Sequence, residues 1–156
     1  MKKVIIELFN NTTFLTVLSG VIVFVLSEFV MEYVINPKRK FKELKERIAY
    51  ILAMYCCYYT NPYRFDKKIH VRDISEYTEA SKEVRKIGAE LSGYIGNIPV
   101  IRWHKRKQLL EVRDCLIGLS NSFYLYSGEG LDTINNSKQL EKRIKDILKI
   151  KDRKKS

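Results

Sequence analysis

Twenty consecutive residues, Leu8 to Ser27, carry no charge. In hydrocarbon every backbone amide must find its partner within the segment, and a helix of about 20 residues is the shortest structure that does so while crossing the core. The most apolar part is Phe14 to Leu26. The polar run Asn10 to Thr13 is suited to capping a helix start, so the span is expected to begin near Phe14 and to continue through FVMEYVI to Ile35. This choice places Glu28 and Glu32 inside or at the edge of the membrane, four apart on one helix face. Either they are hydrated at the interface near Lys38, Arg39 or Lys40, or they form a polar seam between identical helices, since a carboxylate deep in a span is costly and tends to serve a purpose.

A cleaved signal peptide also begins with basic residues and an apolar run, but a small-x-small cleavage site is missing. The segment instead meets Pro37 and then KRKFKELKER. Such a basic flank holds a helix end on the cytoplasmic side, and only Lys2, Lys3 and the terminal amine oppose it. A single span with the N-terminus outside and the rest cytoplasmic is therefore expected. Residues 1-36 form the N-terminal segment and span, and 37-156 a basic helical domain.

In that domain the apolar residues recur at helical spacing. Phe41, Leu44, Ile48, Ile51, Tyr55 and Tyr58 mark one helix, opened by Asn36 as cap with Pro37 at the first position and closed near Thr60 by Asn61 and Pro62. Tyr77, Ala80, Val84, Ile87, Leu91 and Ile95 mark a second, from about Ser75 to Ile95. Leu109, Val112, Leu116 and Leu119 mark a third, from about Lys105 to Ser122. Leu140, Ile144, Ile147 and Leu148 mark a fourth, from about Asn136 to Lys151. No alternating strand of useful length competes, although FYLY at Phe123 to Tyr126 could be extended. The fold class is thus all-α: a transmembrane helix followed by an antiparallel bundle of about four helices.

Lys and Arg number 29 against 18 Asp and Glu, for a formal net charge of +11. The excess favours partners with phosphate or carboxylate, above all anionic lipid headgroups or nucleotides. If the helices alternate in direction, the loop NIPVIRWHKRK returns to the lipid surface, with Arg102, Trp103, Lys105, Arg106 and Lys107 as interface candidates beside Lys38, Arg39 and Lys40. Alternatively Ile98, Val100, Ile101 and Trp103 plug the bundle end and the charges are solvated. The C-terminal KIKDRKKS should arrive on the same side as KRKFK, either meeting the lipid or as a frayed, solvated end.

Residues for chemistry are sparse. His70 and His104 stand apart, and Cys56, Cys57 and Cys115 lack the paired spacing of a zinc site, so packing explains them and neither metal nor cofactor is expected. GEG at Gly128 to Gly130 is too short for a phosphate loop, and no nucleophile elbow occurs, so no catalytic residue is assigned. Tyr55, Tyr58, Tyr59 and Tyr63 could stack bases beside Arg64, Lys67 and Lys68, but such a stripe more commonly forms core with a basic rim.

The stretches SGVIVFVLSEFVMEYVINP, IAYILAMYCCYYTNP, EASKEVRKIGAELSGYIGNIPVIRW and CLIGLSNSFY together resemble a group of small bacterial single-pass membrane-anchored helical proteins, over Ser19 to about Tyr124. IGLSNS at Ile117 to Ser122 is the most recognisable part. The resemblance implies a bacterial inner-membrane protein and carries no activity. Two roles follow as expectations. One is a non-enzymatic anchored module acting through self-association, as a homo-oligomer, or through a protein partner. The other is a ligand-gated membrane effector of a bacterial defence system sensing a cyclic oligonucleotide, which in plan resembles the membrane effectors found with CRISPR systems.

Overall fold

The computed structural model describes residues 12–65, 73–98, 105–125 and 131–150, and these are overwhelmingly helical. The chain divides into two compact units, Met1–Lys40 and Phe41–Ser156. The boundary expected from sequence lies four residues earlier, at 36/37.

Helix α1, Thr12–Val30, carries the apolar run. A π-helical turn, Met31–Ile35, follows, in which the Asn36 amide donates to the Met31 carbonyl five residues back. Asn36 and Pro37 were expected to open a new helix. Instead the chain is helical from Thr12 through Met54, and the proline lies within it. Proline has no N–H to offer and its ring crowds the carbonyl four residues earlier. A widened turn immediately before it is one way a helix takes up such a residue.

In the second unit, α2 (Asn36–Met54) buries Leu44, Ile48, Ile51 and Leu52. The helix was expected to run unbroken to Thr60. It breaks at Tyr55 (φ −101°, ψ 13°) and resumes as α3, Cys56–Thr60. The break turns Tyr59 inward, where it is fully buried and its hydroxyl donates to the Leu52 carbonyl at 3.0 Å. Helix α4, Ile74–Gly96, buries all six of its predicted core residues, together with Ser81, Gly88 and Tyr94. Helix α5, Arg106–Asn121, buries Leu109, Val112, Leu116 and Leu119 as predicted, and Cys115 and Ser120 as well.

Helix α6, Leu131–Leu148, starts five residues before the expected Asn136 and stops short of Lys151. Its end is set by Lys149, which adopts φ 52°. The Ile150 amide donates to the Lys145 carbonyl at 2.9 Å, closing the helix with a left-handed residue in the position usually given to glycine.

Two short strands add a link that the periodicity did not announce. Tyr63–Arg64 (β1) and Tyr124–Leu125 (β2) pair in parallel, with Tyr63 opposite Tyr124 and Arg64 opposite Leu125. Because β1 follows α2 and α3 while β2 follows α5, the C-terminal ends of these helices meet at one end of the unit. One apolar core runs through α2 to α6, with Ile87, Leu91, Val112, Leu116, Leu119, Phe123 and Ile144 at its centre.

Candidate membrane interface

Helix α1 has no buried residue. Val17, Val21, Val23, Phe24, Val25, Leu26 and Phe29 are all more than half exposed, on every side of the helix. Three of its hydroxyls are turned back on its own backbone: Thr16 Oγ1 donates to the Thr12 carbonyl, Ser19 Oγ to Thr16 and Ser27 Oγ to Val23, at 2.7 to 2.9 Å. These residues therefore present almost no unsatisfied polarity, which is what a hydrocarbon environment requires. Glu28 in the last turn of α1 and Glu32 in the π-helical turn are both exposed. Next to that turn an open apolar groove of about 400 Å³ runs along Val23, Leu26, Ser27, Val30, Met31 and Ile35. Lys38, Arg39 and Lys40 are exposed in the first turns of α2.

In the second unit several helix ends converge. Phe41, its first residue, stacks on Tyr94 with ring centroids 5.6 Å apart. Phe41 and Tyr94 line a small cleft with Ile98, Lys105 and Leu109, so the start of α2, the end of α4 and the start of α5 meet there. Lys45 Nζ donates to the Lys149 carbonyl at 3.1 Å, which brings the end of α6 alongside. Lys105, Arg106 and Lys107 are exposed. Arg102 and Trp103 lie outside the described residues, as do His70, His104, Lys67, Lys68, Val100, Ile101, Gly128, Gly130 and residues 151–156. Ile98 is buried, in keeping with a plug at this end.

The opposite end is aromatic. Tyr58 lies edge-on to both Tyr55 and Tyr77, and Tyr63 to Phe65 and Tyr77. Tyr77 donates to the Asn61 carbonyl at 2.8 Å and Tyr124 to Thr78 at 3.1 Å. The tyrosine rings thus engage one another in and around the core. Burial, reinforced by Glu141, pushes the Tyr59 phenol well above its ordinary range, and burial followed by Glu83 raises that of Tyr55.

The IGLSNS stretch acts as a clasp between α4 and α5. Ser81 Oγ donates to the Ser120 carbonyl at 3.1 Å, Arg85 Nε to Ser120 Oγ at 3.1 Å, and Arg85 Nη2 to Asn121 Oδ1 at 2.5 Å. A Cβ on Gly118 would come within 3.2 Å of Leu140 Cδ1, so the glycine admits α6 closely. Sequence reasoning missed this clasp because Arg85 falls on the face that periodicity assigns to solvent.

Cys115 is buried as expected, and burial followed by Glu111 raises its thiol. Cys57 is half-buried, whereas Cys56 is exposed, contrary to the expectation of core or boundary packing. Among the described residues no group of three or more His, Cys, Asp or Glu gathers where it could hold a metal ion. Comparison with protein-family models, with curated proteins and with solved structures finds no match for this chain.

Proposed function

We propose that the chain is a single-pass membrane-anchored module of the bacterial inner membrane. In this reading α1 lies in the bilayer with the N-terminus outside. The second unit, an antiparallel helical bundle, works in the cytoplasm through self-association or a protein partner, without chemistry of its own. The observation that carries the proposal is α1 itself: an uncharged stretch from Thr12 to Ser27, apolar on all sides, none of it buried, with the Thr16, Ser19 and Ser27 hydroxyls bonded internally. Leaving so much apolar surface in water forgoes about 25 cal/mol for each Å² that transfer into lipid would release. The apolar groove at the widened turn offers a second copy a place to pack, which supports self-association.

A ligand-gated effector would need a cationic hollow. One groove of about 490 Å³ joins Arg85 to Gly88, Ala89, Ser92, Ile117 and Asn121. One guanidinium, already engaged by Ser120 and Asn121, is little for a ligand with several phosphates. The anchored module therefore stands first, and the effector would regain ground if a cyclic oligonucleotide raised the melting temperature.

The full chain should resist alkaline carbonate extraction, and its second unit should be digested by protease only after the inner membrane is opened. Recovery as a detergent-free dispersed monomer would overturn the proposal.

A further inference from the structure

We propose that the basic end of the second unit binds the anionic phospholipid headgroups of the bilayer that anchors it. This deepens the membrane-anchored reading and rests on it.

Cations gather at this end from three helices. Lys42 and Lys45 come from α2, Lys105, Arg106 and Lys107 from the start of α5, and Lys149 from the end of α6. The Phe41 to Tyr94 stack, the cleft shared with Lys105 and the Lys45 to Lys149 bond bring them to one end. The first turn of α5 itself contains no acidic residue. Helix polarity makes this an unfavourable place for positive charge, since the amide ends are already partly positive. The helix starts of α4 and α6 follow the opposite rule, with Glu76 and Asp132 in their first turns. Requirements of helix formation therefore do not explain the cations on α5, whereas an anionic surface facing them does.

The attachment of the chain selects lipid over nucleic acid. The apolar segment joins the unit through Lys38, Arg39 and Lys40 to Phe41, which is itself packed at the basic end. A body tied to a surface by this corner keeps the corner near that surface, and a polyanion in solution would have to displace it. Each lysine or arginine held near an anionic leaflet strengthens attachment by about fivefold.

The test uses the full chain in nanodiscs of phosphatidylcholine alone or mixed with phosphatidylglycerol. Trp103, the sole tryptophan, lies two positions before Lys105 and reports contact through quenching by lipids labelled at headgroup depth. Quenching should be stronger in the mixed discs, fall on adding salt, and drop several-fold when Lys105→Gln, Arg106→Gln and Lys107→Gln are combined. A second variant, Lys42→Gln with Lys149→Gln, should weaken it in the same direction from the other helices. Equal quenching in both lipids, or no loss in either variant, would overturn the inference. Tight binding of a labelled single-stranded oligonucleotide that persists in the mixed discs would also overturn it, in favour of nucleic acid. Co-elution with neutral discs separates the two ideas, because a chain that does not enter them at all fails the anchor rather than the headgroup contact.

Discussion

Helices α1 and α2 have 19 residues each and follow one another in the chain, yet their apolar residues are disposed in opposite ways. In α2 a stripe of Leu44, Ile48, Ile51 and Leu52 is buried, and lysine, arginine and glutamate fill most of the exposed positions from Lys38 to Arg47. In α1 the apolar residues go all the way round and none is covered. Hydrophobicity in α2 has a direction, so it specifies a neighbour. In α1 it has none, so on the anchored reading it specifies a medium.

The sharpest way to break this comparison is to perturb the two helices in parallel. Val21→Lys with Val25→Lys should remove the chain from the carbonate-resistant membrane fraction, each charge costing about 2.5–3.5 kcal/mol near a bilayer centre. The second unit's urea midpoint should stay unchanged. Ile48→Ala should do the reverse, lowering the unit's stability by about 2–5 kcal/mol while leaving membrane fractionation intact. If either substitution moved both readouts, the chain would not consist of one lipid-solvated helix and one self-sufficient core.

The same contrast explains what could be read in advance. Helices α4 and α5 follow closely from their apolar spacing and from the Pro and Gly around them. The start of α6 does not, because its first turns are polar: Leu131 is 78% exposed, and the first buried position is Ser137, whose hydroxyl donates to the Thr133 carbonyl. A serine satisfied in this way can be buried without an apolar signal. The break at Tyr55 and the helical passage through Pro37 depend on competition between backbone bonding and burial, which spacing does not record. For the candidate interface, the runs KRKFK and RWHKRK were plain in sequence. Their relation to Lys149 depends on where α6 ends.

A smaller effect sharpens the account of the α2 to α3 break. The buried Tyr59 phenol holds its proton more tightly in the folded chain than in the unfolded one. Its contribution to stability is therefore complete below about pH 10, the ordinary phenol value, and is lost as pH rises beyond it. Tyr59→Phe should cost about 1 kcal/mol at neutral pH, through loss of the bond to the Leu52 carbonyl. It should also flatten the alkaline decline in urea midpoint. An equally steep decline in the variant would assign the alkaline sensitivity elsewhere.

The smallest effect concerns the last residue of the α6 cap and sets folding against surface chemistry. Lys149 holds a left-handed backbone that glycine adopts without steric penalty, and its carbonyl is the acceptor for Lys45. Lys149→Gly keeps that carbonyl and relieves a penalty of about 1–2 kcal/mol, part of which glycine's greater unfolded-state freedom offsets. The expected net gain is about 0.5–1 kcal/mol, read as a higher urea midpoint. If the lysine is present for the sake of its charge, the stabilised variant should also bind mixed nanodiscs less strongly at its basic end. Stabilisation with unchanged lipid contact would reduce Lys149 to a strained cap and leave the headgroup contact to α2 and α5.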